Sequence, residues 1–164
     1  MKLALAILIA LSVLRSADAQ VAVRATQPAP PNKAVVDGRV WGALVFATNE
    51  ADAPSGKRPP AQYADLSRRL GKVFPFARFA ILGEHEQVVF REHESWVRPT
   101  DELFMRVDSR GVAPGGGMRL HVQVWREQQV LAKTDTVLRS GSPLFIGGPK
   151  WRNGQLIFVL ALQR

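Results

Sequence analysis

The sequence predicts a mainly β protein: an antiparallel β-sandwich of about seven or eight short strands, with one added α-helix at about residues 62–73. Three observations carry this. Apolar residues recur at every second position at Leu103, Met105 and Val107, and again at Leu120, Val122 and Val124, the period of a strand with one buried face. Turn-forming Gly, Pro and Asn interrupt the chain every ~8–12 residues. One stretch has helical spacing, Tyr63, Leu66, Leu70 and Val73, with Gly71 and Pro75 marking its end.

The elements follow in order. Residues 1–19 have the form of a cleavable export signal: Lys2, an apolar run from Leu3 to Leu14, then the small-x-small site Ala17-Asp18-Ala19. The run is shorter than the ~20 residues needed to span a bilayer, so no transmembrane segment is expected in the mature protein. Residues 20–38, with Pro28, Pro30 and Pro31, read as a flexible tether. A single β-sandwich domain over 39–164 is expected to follow.

Within that domain, Val40 to Thr48 reads as a strand buried on both faces. The Pro-rich residues 49–61 make a loop, and the helix follows. Phe76 to Leu82 and Gln87 to His93 read as two strands, with Gly83 closing the first. Trp96-Val97 is a short extended piece. The two alternating strands are joined by a flexible loop containing Gly115, Gly116 and Gly117. Val130 to Arg139 and Leu144 to Ile146 come next. Asn153-Gly154 signals a two-residue hairpin turn, with Trp151 opposite Leu156 and Ile146 opposite Ala161. Gly147, Gly148 and Pro149 imply a bulge in its first arm. The final run, Leu156 to Leu162, is apolar at every position and needs cover on both faces. The helix is the natural cover for one of them.

Composition narrows the function. The chain has no cysteine, so neither disulfides nor a thiolate site contribute. It is basic, with a net charge of +8. That charge in an exported protein suits an acidic partner in the cell envelope, either a protein or an acidic polymer. Nucleic acid is not expected as a partner, since no zinc-finger spacing or RNA-binding signature is present. No cofactor is implied: the three glycines lack the arrangement of a phosphate cradle. No Gly-x-Ser-x-Gly elbow is present, and adjacent carboxylates such as Asp101 and Glu102 point to opposite faces of a strand. No catalytic residue is assigned.

Two constellations remain. Glu84-His85-Glu86 and Glu92-His93-Glu94 repeat an acidic–histidine triplet. If the chain turned between them, His85 and His93 could hold a metal, giving a metal-dependent hydrolytic domain. A charged edge strand that resists aggregation explains the same residues without one. The second constellation is basic. Arg68, Arg69 and Lys72 lie in a positively charged stretch, and Lys150, Trp151 and Arg152 form a tip beside the final hairpin. These six residues are the candidate partner-binding set. Several aromatics on one exposed face would bind a partner or a polysaccharide.

The segment Phe76-Ala77-Arg78-Phe79-Ala80-Ile81-Leu82-Gly83, the glycine-rich loop, the segment from Leu138 to Pro149 and the last apolar strand resemble small exported bacterial β proteins of no established role. The resemblance covers about residues 74–162. It implies a shared β fold and brings no functional residues. The expectation is therefore a non-catalytic exported binding or assembly domain, periplasmic or extracellular. A cell-wall glycan-binding domain, or a hydrolytic one using the Glu-His-Glu triplets, is the alternative.

Overall fold

A computed structural model describes residues 34–163. The expected export signal, and the expected tether up to residue 33, lie outside the described residues. The fold is a mainly β sandwich-like arrangement of two four-stranded antiparallel sheets with one short α-helix. Its strands are β1 (Val36–Thr48), β2 (Arg78–Phe90), β3 (Glu94–Val97), β4 (Leu103–Val112), β5 (Met118–Arg126), β6 (Gln129–Leu138), β7 (Leu144–Trp151) and β8 (Gly154–Leu162). One sheet, here sheet A, has the order β2-β1-β8-β7; the other, sheet B, has the order β3-β4-β5-β6. Among the described residues no helix is long and apolar enough to cross a membrane.

The period-2 strands behave as their pattern requires. Met105 and Val107 of β4, and Leu120, Val122 and Val124 of β5, point inward and meet Leu44, Phe46, Phe158 and Leu160 of sheet A. The two continuous apolar runs are the central strands of sheet A, β1 and β8, paired from Val40↔Leu162 to Thr48↔Gly154. Each is buried on both faces. Their other phase, Trp41, Val45, Ile157 and Val159 among them, forms a second core under Tyr63, Leu66 and Leu70. The helical residues thus cover the outer face of sheet A.

The helix is shorter than its spacing predicts. A 3-10 turn, Ala61–Tyr63, precedes α1 (Leu66–Leu70), and the chain leaves helix at Gly71. Val73, expected on the apolar face, is exposed, and Phe74 packs in its place. Tyr63 secures the segment. Its ring stacks on Trp41 at 6.0 Å and its hydroxyl donates to the Leu162 carbonyl at 2.6 Å.

Three expectations of detail are corrected. The two strands expected on either side of Gly83 are one, β2, of 13 residues. Gly83 is not a stop but a bulge: the ladder to β1 passes from Leu44↔Gly83 to Val45↔Ile81, leaving Leu82 extra. A side chain there would overlap the Pro99 carbonyl, so the glycine serves close approach. The hairpin is offset as well. Trp151 pairs with Gly154 and Ile146 with Phe158, so Arg152 and Asn153 form the turn, and Arg152 takes the positive φ of 49°. The expected irregularity between Gly147 and Lys150 is present. Finally, β1 begins at Val36, inside the stretch expected to be tether.

Candidate binding surface

The two sheets differ on their outer faces. Sheet A is capped by α1 and its flanks. Sheet B carries no such cap among the described residues, and its outer face is set by strand phase. Register brings Phe104 beside Trp125, Arg106 beside Gln123, and Asp108 beside His121 across β4 and β5. β3 adds Trp96 opposite Arg106, and β6 adds Lys133 opposite Gln123 and Asp135 opposite His121.

One end of this face is aromatic. Phe104 and Trp125 lie nearly parallel, with ring centroids 6.5 Å apart. Trp96 meets both edge-on, at 5.6 and 6.0 Å. The Arg98 guanidinium sits 4.7 Å from the centre of the Phe104 ring. Glu127 and Gln128 complete the rim of a shallow cleft of about 290 Å³. The rings bury one another: Phe104 is only 7% exposed although it points away from the sandwich core. The Trp125 indole N–H is buried without an acceptor among the described residues.

The other end is a polar lattice. Arg106 bridges Glu94 at 2.8 Å and Asp108 at 3.0 Å. Its hydrogen bond to Asp108, helped by the charges of Asp108 and Glu94, outweighs burial and raises its pKa, so it stays protonated. His121 Nδ1 lies 2.9 Å from Asp135 Oδ1, and Gln123 Nε2 lies 3.2 Å from His121 Nε2. A histidine that donates from Nδ1 and accepts at Nε2 satisfies both contacts.

The residues singled out from sequence are placed differently. Arg68 and Arg69 both bind Asp65, at 2.7 and 2.9 Å, and Arg69 also donates to the Gly141 carbonyl at 2.5 Å. The Arg69 hydrogen bond, joined by that of Arg68 and both charges, lowers the Asp65 pKa against a smaller opposing effect of burial. Lys72 is exposed in the turn after α1. Lys150 and Arg152 are exposed on the β7–β8 hairpin, but Trp151 is half-buried and does not protrude. Its ring packs edge-on against Phe46 at 4.9 Å, with the Arg152 guanidinium 4.3 Å above it. Lys150 and Trp151 line a cleft of about 590 Å³ at the mouth between the sheets, floored by Leu44, Leu82 and Leu156 and rimmed by Asp101, Glu102 and Arg126.

The acidic–histidine triplets do not meet. β2 runs straight through the first, and no turn separates it from the second before Phe90. His85 accepts from the Arg98 backbone N–H at 3.3 Å, and His93 Nδ1 lies 2.7 Å from the Arg91 carbonyl. The carboxylates have other partners: Glu84 accepts from the Trp41 indole at 3.0 Å, Glu86 from Gln163 at 2.5 Å, and Glu94 holds Arg106. Among the described residues no group of three or more His, Cys, Asp or Glu is placed to hold a metal.

The aromatic cluster was the feature missed from sequence. Its signal was present: Phe104 and Trp125 occupy the outward phase of strands whose neighbouring inward positions, Leu103, Met105, Val122 and Val124, are apolar. What could not be read was that β3 would bring Trp96 alongside.

Fold and surface together define a β-sandwich with one capped sheet and one open sheet that bears an aromatic cluster. No family model matches the chain, and no curated protein or solved structure matches it.

Proposed function

We propose that this is a non-catalytic binding or assembly domain, exported by its N-terminal signal, and that it recognises an envelope protein through the outer face of sheet B. The observation that carries this is the cluster of Trp96, Phe104 and Trp125 with Arg98 on a face that carries no cap among the described residues. Tryptophan and arginine dominate the energetics of protein interfaces, and a preformed cluster loses little side-chain freedom on binding. The non-catalytic reading is supported by how the ionisable groups of this face are spent: Arg106 on Asp108 and Glu94, His121 on Asp135 and Gln123. Export is supported by the charge, apolar run and small-x-small site of residues 1–19. Basic residues at Arg68, Arg69, Lys72, Lys150 and Arg152 favour an acidic partner surface through long-range attraction.

The test is capture with in-cell cross-linking, using the tagged protein from the envelope fraction of its own cell. The expected result is one recurrent envelope complex that is lost in Trp96→Ala while circular dichroism stays unchanged. Equal recovery by wild type and variant would remove the aromatic face from the reading, and recovery of nothing reproducible would remove the envelope partner.

A second reading is favoured by the polar rim of the same cleft. Ring faces flanked by Arg98, Glu127 and Gln128 suit a wall glycan, which stacks its apolar sugar face and hydrogen-bonds its hydroxyls. Titration calorimetry with soluble wall-glycan fragments separates it from the first: heat of binding that disappears in Trp96→Ala supports the glycan.

A further inference from the structure

We propose that two copies of this chain associate edge to edge through β6, joining their two sheets B into one continuous sheet. The argument begins with the four sheet edges. An open strand edge presents unpaired backbone groups that another strand can pair with, and proteins blunt such edges by shortness, cover or irregularity. β3 has four residues. β7 is broken between Gly147 and Lys150. β2 is bulged at Leu82 and bridged on its outer side by Lys57, whose N–H donates to the Ile81 carbonyl at 3.0 Å. β6 has ten residues, and its one irregularity lies near its start, between Val130 and Ala132. It is the long, regular edge of the molecule.

Its sequence then selects a partner and a register. Antiparallel pairing of two β6 strands about a two-fold axis keeps outward residues facing outward only if each residue meets one of the same phase. With the axis through Thr134, Lys133 of one copy lies opposite Asp135 of the other, twice over, and Ala132 lies opposite Thr136. Leu131, an exposed large apolar side chain in the irregularity of β6, lies at the end of this ladder, toward Val137 of the other copy. Moving the axis by one phase step in either direction sets Lys133 against Lys133 or Asp135 against Asp135. Opposite charges directly across strands stabilise a pair and like charges oppose it. The self-complementary charge order thus points to a second copy rather than an unrelated strand. Asp135 is free to take part: its side chain is 85% exposed and His121 engages only its Oδ1.

The pairing stands apart from the binding reading above and is tested apart from it. The protein recovered from its own cell is examined by sedimentation equilibrium from about 1 to 200 µM, with Lys133→Asp, Asp135→Lys and the double swap. Wild type is expected to sediment as a dimer. Each single swap turns two attractive pairs into two repulsive ones and is expected to raise the dissociation constant roughly tenfold or more. The double swap restores opposite charges across the axis and is expected to restore the dimer. Circular dichroism verifies that each variant is folded. A monomeric wild type across the range overturns the proposal. So do single swaps that dimerise like wild type, or a double swap that stays monomeric.

Discussion

Asp37 offers the sharpest test of how the two sheets are held together. It lies on β1 of sheet A, in a stretch whose composition suggests tether. Its carboxylate takes a forked contact from Arg91, with Nη2 at 2.8 Å and Nε at 3.1 Å, and a bond from the Ser109 hydroxyl of β4 in sheet B at 2.6 Å. Ser109 in turn accepts from the Gly111 N–H at 3.1 Å. The Asp37 side chain is 1% exposed and that of Arg91 is 44% exposed. Hydrogen bonds to a charged group contribute about 1.5–3 kcal/mol each and are not additive. Removing one member of a buried pair costs about 3–5 kcal/mol, but here water can reach Arg91, which lowers the figure. Asp37→Ala is therefore expected to cost about 2–4 kcal/mol, which at this size lowers Tm by roughly 10 °C. The pH dependence has a definite sign. Burial raises the Asp37 pKa, but the hydrogen bonds from Arg91 and Ser109 and the Arg91 charge outweigh it, leaving the value below the ordinary 3.8. A depressed carboxylate contributes fully above its unfolded value and loses its contribution as pH falls through the folded one. Thermal unfolding of wild type and Asp37→Asn is thus expected to show a gap at pH 6 that narrows below about pH 4. A variant Asp37→Ala that melts within about 2 °C of wild type would refute the clamp, and a gap independent of pH would refute the role of its charge.

Three further outcomes follow from packing. Gly154→Ala is expected to cost about 3 kcal/mol in urea unfolding, because the new methyl would overlap the Ala47 carbonyl and come within 2.7 Å of the Phe46 ring; near-wild-type stability would mean the hairpin register is wrong. Tyr63→Phe removes the bond to the Leu162 carbonyl at 2.6 Å and is expected to cost about 1 kcal/mol in a thermal melt, with an unchanged Tm counting against this anchor of the helical cap. Trp125→Phe deletes a buried indole N–H that has no acceptor among the described residues, and with it part of a ring packed on Trp96 and Phe104; the two effects oppose, so its melt is expected within about 2 °C of wild type, and a loss of several degrees would mean that the relief of the orphaned donor does not offset the lost packing.

How far the sequence could be read depended on the range of the interaction responsible. Strand phase is local, so the inward sets of β4 and β5 and the two-sided burial of β1 and β8 were legible from periodicity. The helix was legible in kind but not in length, because Gly71 ends it before Val73. Glycine misled twice for one reason. A glycine needed for positive φ and a glycine needed for close approach look the same in a sequence. Gly83 and Gly154 are of the second kind, set by the distant Pro99 and Ala47 carbonyls. Long-range contacts were legible only where two-sided burial demanded a cover, as for the helix over the last strand. Asp37 with Ser109, and Trp96 with Phe104 and Trp125, depend on which strands become neighbours. Of the basic candidates, Arg68 and Arg69 were placed correctly on a helix, but the nearby Asp65 that binds both also stood in the sequence.

The asymmetry between the sheets has a cause in those same patterns. β1 and β8 are apolar in both phases, so sheet A cannot remain open, and the segment with Tyr63, Leu66 and Leu70 must close over it. The strands of sheet B alternate, so their outer face is wetted without penalty and folding does not demand a cap. Aromatic residues on such a face are not required by the core. Trp96, Phe104 and Trp125 hide area mainly from one another, and in doing so they fix one another's orientation before any partner arrives. Under the proposed β6 pairing the two open faces become one, with an aromatic cluster toward each end, because Trp125 pairs with Val130 at the start of β6 while the axis passes through Thr134. Two sites held on one rigid sheet convert a second binding event into an intramolecular one. A module built this way gains affinity from a repetitive or symmetric partner without strengthening either single contact.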